Sequence, residues 1–120
     1  MKAVTVEQMR MLERRAMDAG IQEDSLMEAA GLAIARRVGQ LTDGVRGRRF
    51  LILVGPGNNG GDGMVAGRYL ADWGALVTLY MTAAARREDK LEECEARRVR
   101  IVEGSDDHEQ WALASYSPTT

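Results

Sequence analysis

Five consecutive residues, Asn58, Asn59, Gly60, Gly61 and Asp62, combine main-chain and side-chain groups that can bind an anion, a hard cation or the polar groups of a ligand. They lie within GPGNNGGDG, a stretch from Gly55 to Gly63 that contains five glycines. Glycines let the main chain approach a ligand closely. They also let successive N–H groups point into one concavity that favours phosphate or pyrophosphate, above all where a helix begins. Each asparagine adds an amide oxygen and two N–H donors, so it can ligate a hard cation or read hydroxyl and carboxamide groups. Asp62 is expected where the following helix starts, capping free N–H groups or accepting from a ligand hydroxyl. A plain glycine turn with Asp62 as its N-cap is the simpler reading. Glycine is entropically costly where it is not needed, however, and this density directly behind an apolar run exceeds what a turn requires.

The elements that must hold this loop can be read on both sides of it. Phe50 to Val54 is a short apolar run bounded by turn signals, which suits a strand buried on both faces of a parallel sheet. Met64, Val65, Ala66, Tyr69, Leu70 and Trp73 give a helix that starts near Met64 and ends at Gly74, and Ala75 to Met81 reads as a second buried strand. Strand, helix and strand make a βαβ crossover, and ligands of open α/β sheets bind at the carboxyl ends of the strands. Upstream, Thr5 and Gln8 have capping-box spacing, and a first helix is expected from Val6 to Ala19, closed by Gly20. Ser25 and Glu28 repeat the signal and predict a second helix from Leu26 to Gln40, with Leu26, Ala30, Ala33, Ile34, Arg37, Val38 and Leu41 on one face, apolar except at Arg37, and its alanines and Gly31 allowing close packing. Downstream, a charged helix is expected from Arg86 to Arg98, a short strand from Val99 to Val102, and a last helix opening at Ser105 or Asp106. The chain thus divides into leading helices (1–41), a βαβ unit with the glycine loop (49–81), and a helical region with a weak strand (82–120).

Composition narrows the function classes. A chain of 120 residues supports one small core, and its net charge of −2 gives no reason to expect a nucleic-acid partner. Arginine pairs at 36–37, 48–49, 86–87 and 97–98 are scattered and read as solvated faces. No segment approaches a membrane span, the amino terminus lacks the apolar core of a secretory signal, and the single cysteine, Cys94, reads as a bystander. A cytoplasmic protein is the expectation. Gly55, Gly57 and Gly60 match G-x-G-x-x-G literally, but Tyr80 to Ala83 occupy the position where a ribose-binding acid is expected, and no Lys-Ser/Thr pair makes a P-loop.

GPGNNGGDG followed by MVAGRYL closely resembles the signature of the YjeF N-terminal domain family, the NAD(P)H-hydrate epimerases. EQMRMLERRAMDAGI followed by SLMEAAGLAIA resembles that family's two leading helices. The resemblance spans roughly Val4 to Met81. It implies an α/β fold, a Rossmann-like αβα sandwich with a mostly parallel sheet. It implies interconversion of the R and S epimers of NADHX and NADPHX, a bound potassium ion (K+), and an ADP- or ATP-dependent NAD(P)H-hydrate dehydratase as functional partner; it leaves a homodimer open. By resemblance, Asn58, Asn59, Gly60, Gly61 and Asp62 belong to the substrate-binding loop and Asn59 is a potassium ligand. The family's later DALLGTG-like and DIPSG-like segments, which carry the presumed acid/base carboxylate, are absent here, so the catalytic residue is unassigned. Asp106, Asp107 and His108 read as helix-start residues. The chain therefore reads as the amino-terminal half of such a domain, its sheet incomplete and an apolar face or edge exposed. A non-catalytic scaffold or nucleotide-binding domain is the alternative.

Overall fold

The computed structural model describes residues 5–105. Its elements run α1 (Val6–Leu41), β1 (Arg49–Val54), α2 (Asn58–Asp72), β2 (Leu76–Met81), α3 (Glu88–Glu95) and β3 (Arg100–Glu103). The three strands form one parallel sheet in the order β1-β2-β3, with Ile52 opposite Leu79 and Leu79 opposite Ile101. The last helix expected from the sequence falls outside the described residues.

The amino-terminal capping box forms as expected. The Gln8 N–H donates to Thr5 Oγ1 at 3.1 Å, and the Thr5 N–H donates to Gln8 Oε1 at 3.0 Å. The expected break between two leading helices does not occur, and α1 continues through Gly20 and Ser25. Gly20 has no positive φ and serves as an ordinary, if weak, helix residue. Glu28 does not reach back to Ser25. Its carboxylate instead pairs with Arg68, at 2.9 Å, and Lys90, at 3.7 Å.

The buried stripe of α1 is Met27, Gly31 and Ala35, with Val38 packed against the core. Leu26 (70% exposed) and Leu41 (69%) face solvent, so the interface is rotated from the face that apolar content favoured. Close approach decided it, because Gly31 lies directly against Val65 of α2, where no larger residue fits. Thr5 and residues 6–23 of α1 are exposed throughout.

α2 lies on the sheet through Gly63 and Gly67, which meet Ile52, Val77 and Leu79. The core gathers Val54, Met64, Leu70, Val77, Leu79, Met81 and Cys94. The opposite sheet face is only partly covered: Leu53 and Leu76 are 62% and 61% exposed. The expectation of strands buried on both faces is therefore corrected for β1 and for the start of β2. α2 packs on one side of them, and no described helix covers Leu53 or Leu76 on the other.

Candidate functional site

At the carboxyl end of β1 the chain turns within three residues, Gly55, Pro56 and Gly57, and enters α2 at Asn58. Gly57 is the N-cap, with φ of 84°, a left-handed value that glycine adopts without strain. That single torsion starts the helix well before Met64. It also corrects the role expected for Asp62, which sits in the second turn of α2, half-buried, while the N-cap is a glycine with no side chain to offer. The amides of a helix's first turn have no intrahelical partners, and a glycine N-cap leaves them open to an anion.

Gly60 and Gly61 are both buried and serve separate contacts. A Cβ on Gly60 would overlap the Gly55 carbonyl oxygen and lie 3.3 Å from Val54 Cγ1, so Gly60 brings the helix tight against the strand end. A Cβ on Gly61 would lie 2.5 Å from Met27 Cε, so Gly61 seats the helix on α1. Asn58 and Asn59 are the first two residues of α2, at the mouth of the turn. The five candidate residues are therefore one helical turn and its continuation rather than a loop.

The connection after β2 flanks this turn. Thr82 donates to the Val54 carbonyl from its N–H (3.0 Å) and from its hydroxyl (2.9 Å), fixing the chain beside the start of the glycine turn. At the far end of the connection Arg87 Nη1 lies 3.7 Å from Met27 Sδ, and Met27 is the residue beneath Gly61. Arg87 also pairs with Asp24 (2.6 Å) and Asp89 (2.9 Å). Its guanidinium, held by Asp89 and Asp24, stays charged at any accessible pH, and in return holds the Asp24 and Asp89 carboxyls below their usual range.

A second ionic group lies alongside. Lys90, only 4% exposed, is 3.0 Å from Asp24. Burial opposes the charge on Arg68, but Glu28 and Glu93 more than offset it and raise its pKa above the ordinary arginine value. These contacts tie α1, α2 and α3 together behind the turn. Sequence reading missed them and took Arg87 as a solvated residue. The clue lay in acids one helical turn apart on α1 (Asp24, Glu28) and in the mixed charges that open α3.

Cys94 is buried, donates from Sγ to the Met64 carbonyl at 3.1 Å, and has its pKa pushed up to about 11 by burial, which agrees with its reading as a bystander. Among the described residues no group of three or more His, Cys, Asp or Glu could hold a metal ion. Asn59 carries a carboxamide, a donor type that suits an alkali cation. No helix among the described residues is long and apolar enough to cross a membrane. Asp106, Asp107 and His108 lie outside the described residues.

Comparison with known proteins places this geometry among relatives. Residues 23–114 match the family described as "YjeF-related protein N-terminus". The chain is 34% identical over 107 residues to an NAD(P)H-hydrate epimerase of Neurospora crassa, covering 86% of this chain and 45% of that protein. It is 41% identical over 78 residues to an NAD(P)H-hydrate epimerase of Nitrosopumilus maritimus, covering 65% and 36%. A bifunctional NAD(P)H-hydrate repair enzyme of Thermofilum pendens is 40% identical over 92 residues, 76% of this chain and 17% of that protein. The crystal structure of the yeast protein ynu0 superposes with a TM-score of 0.66 at 21% identity, over all of this chain and 60% of that one, a likeness of fold. The chain spans under half the length of the curated relatives named here.

Proposed function

The chain belongs to the YjeF-related protein N-terminus family, and on that premise we propose that it is the nucleotide-holding part of an NAD(P)H-hydrate epimerase, acting on NADHX and NADPHX in metabolite repair. The observation that carries the proposal is the start of α2, entered through a glycine N-cap, Gly57, at the carboxyl end of a parallel strand. First-turn amides suit the pyrophosphate, and the carboxamides of Asn58 and Asn59 have the chemistry to read a carboxamide or hydroxyl of the ligand. Gly60, Gly61 and Asp62 complete the binding turn, and Asn59 contributes a ligand to potassium. When bound, that ion supplies positive charge beside the substrate phosphates or oxygens; the chain's own residues bind and orient the nucleotide.

Epimerisation at the hydrated carbon needs a positioned acid or base. Asp62 is the only carboxylate in the turn, and its half-buried place in α2 suits ligand hydroxyls better than proton transfer. No catalytic residue is assigned. A dehydratase that consumes one epimer is the natural partner, because it removes the product of the conversion, and a cytoplasmic location is part of the same proposal.

The test supplies mixed NADHX epimers and the dehydratase to the protein, with and without potassium. Potassium-dependent consumption of the R form is expected, and Asn59→Ala should weaken the potassium dependence. No conversion at any potassium concentration would remove the epimerase reading, and nucleotide binding without conversion would favour a non-catalytic scaffold.

A further inference from the structure

The hexapeptide Gly55-Pro56-Gly57-Asn58-Asn59-Gly60 forms a strand–turn–helix junction of the kind that binds dinucleotides. Gly57 makes the turn, and Gly60 allows the close contact of helix and strand. In such sites the residue that distinguishes the two nicotinamide cofactors lies just beyond the second strand. An acid there accepts from the free 2′-hydroxyl of the adenosine ribose, whereas an arginine nearby receives a 2′-phosphate. Here the chain beyond β2 reads Thr82-Ala83-Ala84-Ala85-Arg86-Arg87, with no acid. It begins hydrogen-bonded to Val54 and ends against Met27 beneath Gly61, so it runs along the side of the nucleotide turn.

The two arginines differ in availability. Arg87 is committed to Asp24, to Asp89 and to the Met27 thioether. Arg86 is exposed and makes no ion pair with any described residue. We propose that Arg86 is the specificity-determining residue of this site, receiving the 2′-phosphate, so that the 2′-phosphorylated hydrate NADPHX is preferred over NADHX. This rests on the nucleotide-binding reading of the glycine turn given above. A guanidinium meets a phosphate dianion through paired charge-assisted hydrogen bonds, and an unpaired exposed arginine forfeits no existing contact to do so.

The test separates this claim from the epimerase reading by using ligands that need no turnover. Adenosine 2′,5′-bisphosphate and adenosine 5′-monophosphate, which differ only in the 2′-phosphate, are titrated into the protein by calorimetry. The bisphosphate is expected to bind about tenfold to a hundredfold more tightly at low salt. Arg86→Ala should bring the ratio to near one without moving the thermal midpoint, and Arg86→Lys should keep part of it. The ratio of kcat/KM for NADPHX over NADHX should fall in parallel. Equal affinity for the two ligands, binding of neither, or a ratio that survives Arg86→Ala would overturn the assignment. A bisphosphate preference that depends on Arg86 in a protein without epimerase activity would overturn the reaction alone.

Discussion

Gly31→Ala should destabilise the protein, although the same change in most helices is stabilising. Alanine in a helix interior is worth about 1 kcal/mol over glycine, a gain that any Gly→Ala change in α1 inherits. At position 31 the new Cβ would stand 2.5 Å from Val65 Cβ, closer still to Val65 Cγ1, and 3.0 Å from the Ala66 backbone nitrogen. A side chain can rotate away but a helix backbone cannot, so α1 must move off α2. Overpacking of this kind costs about 3 kcal/mol at the upper end of its range. The net effect is a loss of about 2 kcal/mol, which lowers the midpoint of a domain this size by about 8 °C. Gly39→Ala is the internal control, because its Cβ would meet only Val45 Cγ1, at 3.8 Å, an ordinary contact. It should raise the midpoint by about 4 °C. Urea and thermal unfolding followed at 222 nm read both. If Gly31→Ala stabilised as much as Gly39→Ala, the contact between α1 and α2 described above would be wrong. Gly20→Ala extends the test, since nothing lies within 4 Å of its added methyl. Helicity should rise, whereas a glycine required at a left-handed cap would make it fall.

Three further outcomes are expected. Asp24 and Asp89 have folded pKa values below their ordinary 3.8, through hydrogen bonds from Arg87 first. The stability they contribute is present above pH 3.8 and is lost as pH falls through their folded values. Asp24→Asn should lower the urea midpoint at pH 7 and flatten its decline below pH 4; an unchanged acid limb would show that these pairs are screened. Cys94, with its pKa near 11, should resist a thiol–disulfide reagent at pH 8 in the folded protein and react fully in denaturant. Gly60→Ala should weaken binding of adenosine 2′,5′-bisphosphate by tenfold or more, since the helix start must leave the strand, as estimated from the cost of overpacking. Gly63→Ala, whose Cβ would stand 3.4 Å from Ile52 Cγ2, should retain binding.

The legible parts were those written locally. The run from Phe50 to Val54, the glycine turn and the apolar spacing from Met64 to Leu70 each appear with the type expected, and strand edges moved by a residue. The parallel sheet followed from short apolar strands separated by a helix. What failed depended on partners far away in the chain. Ser25 and Glu28 form a capping box on paper, but Glu28 is recruited by Arg68 and Lys90, forty and more residues away. Arg87 reads as solvated until Asp24 is brought to it from 63 positions upstream. Asp62 seemed the cap because its side chain suits one, yet the φ of Gly57 had already started the helix, and a backbone torsion is invisible in composition. At the site, sequence named the turn itself, while Met27 beneath it became visible only through packing.

The first turns of α1 show what tertiary support is worth. A helical segment without a packed partner is marginal in water, held by its cap and by its join to the supported turns. Arg10, Arg14 and Arg15 all fall within the exposed stretch before Asp24. A dilute trypsin digest should therefore nick there first, trimming the helix back toward Asp24 while the glycine turn, clamped between Met27 and Gly55, outlasts it.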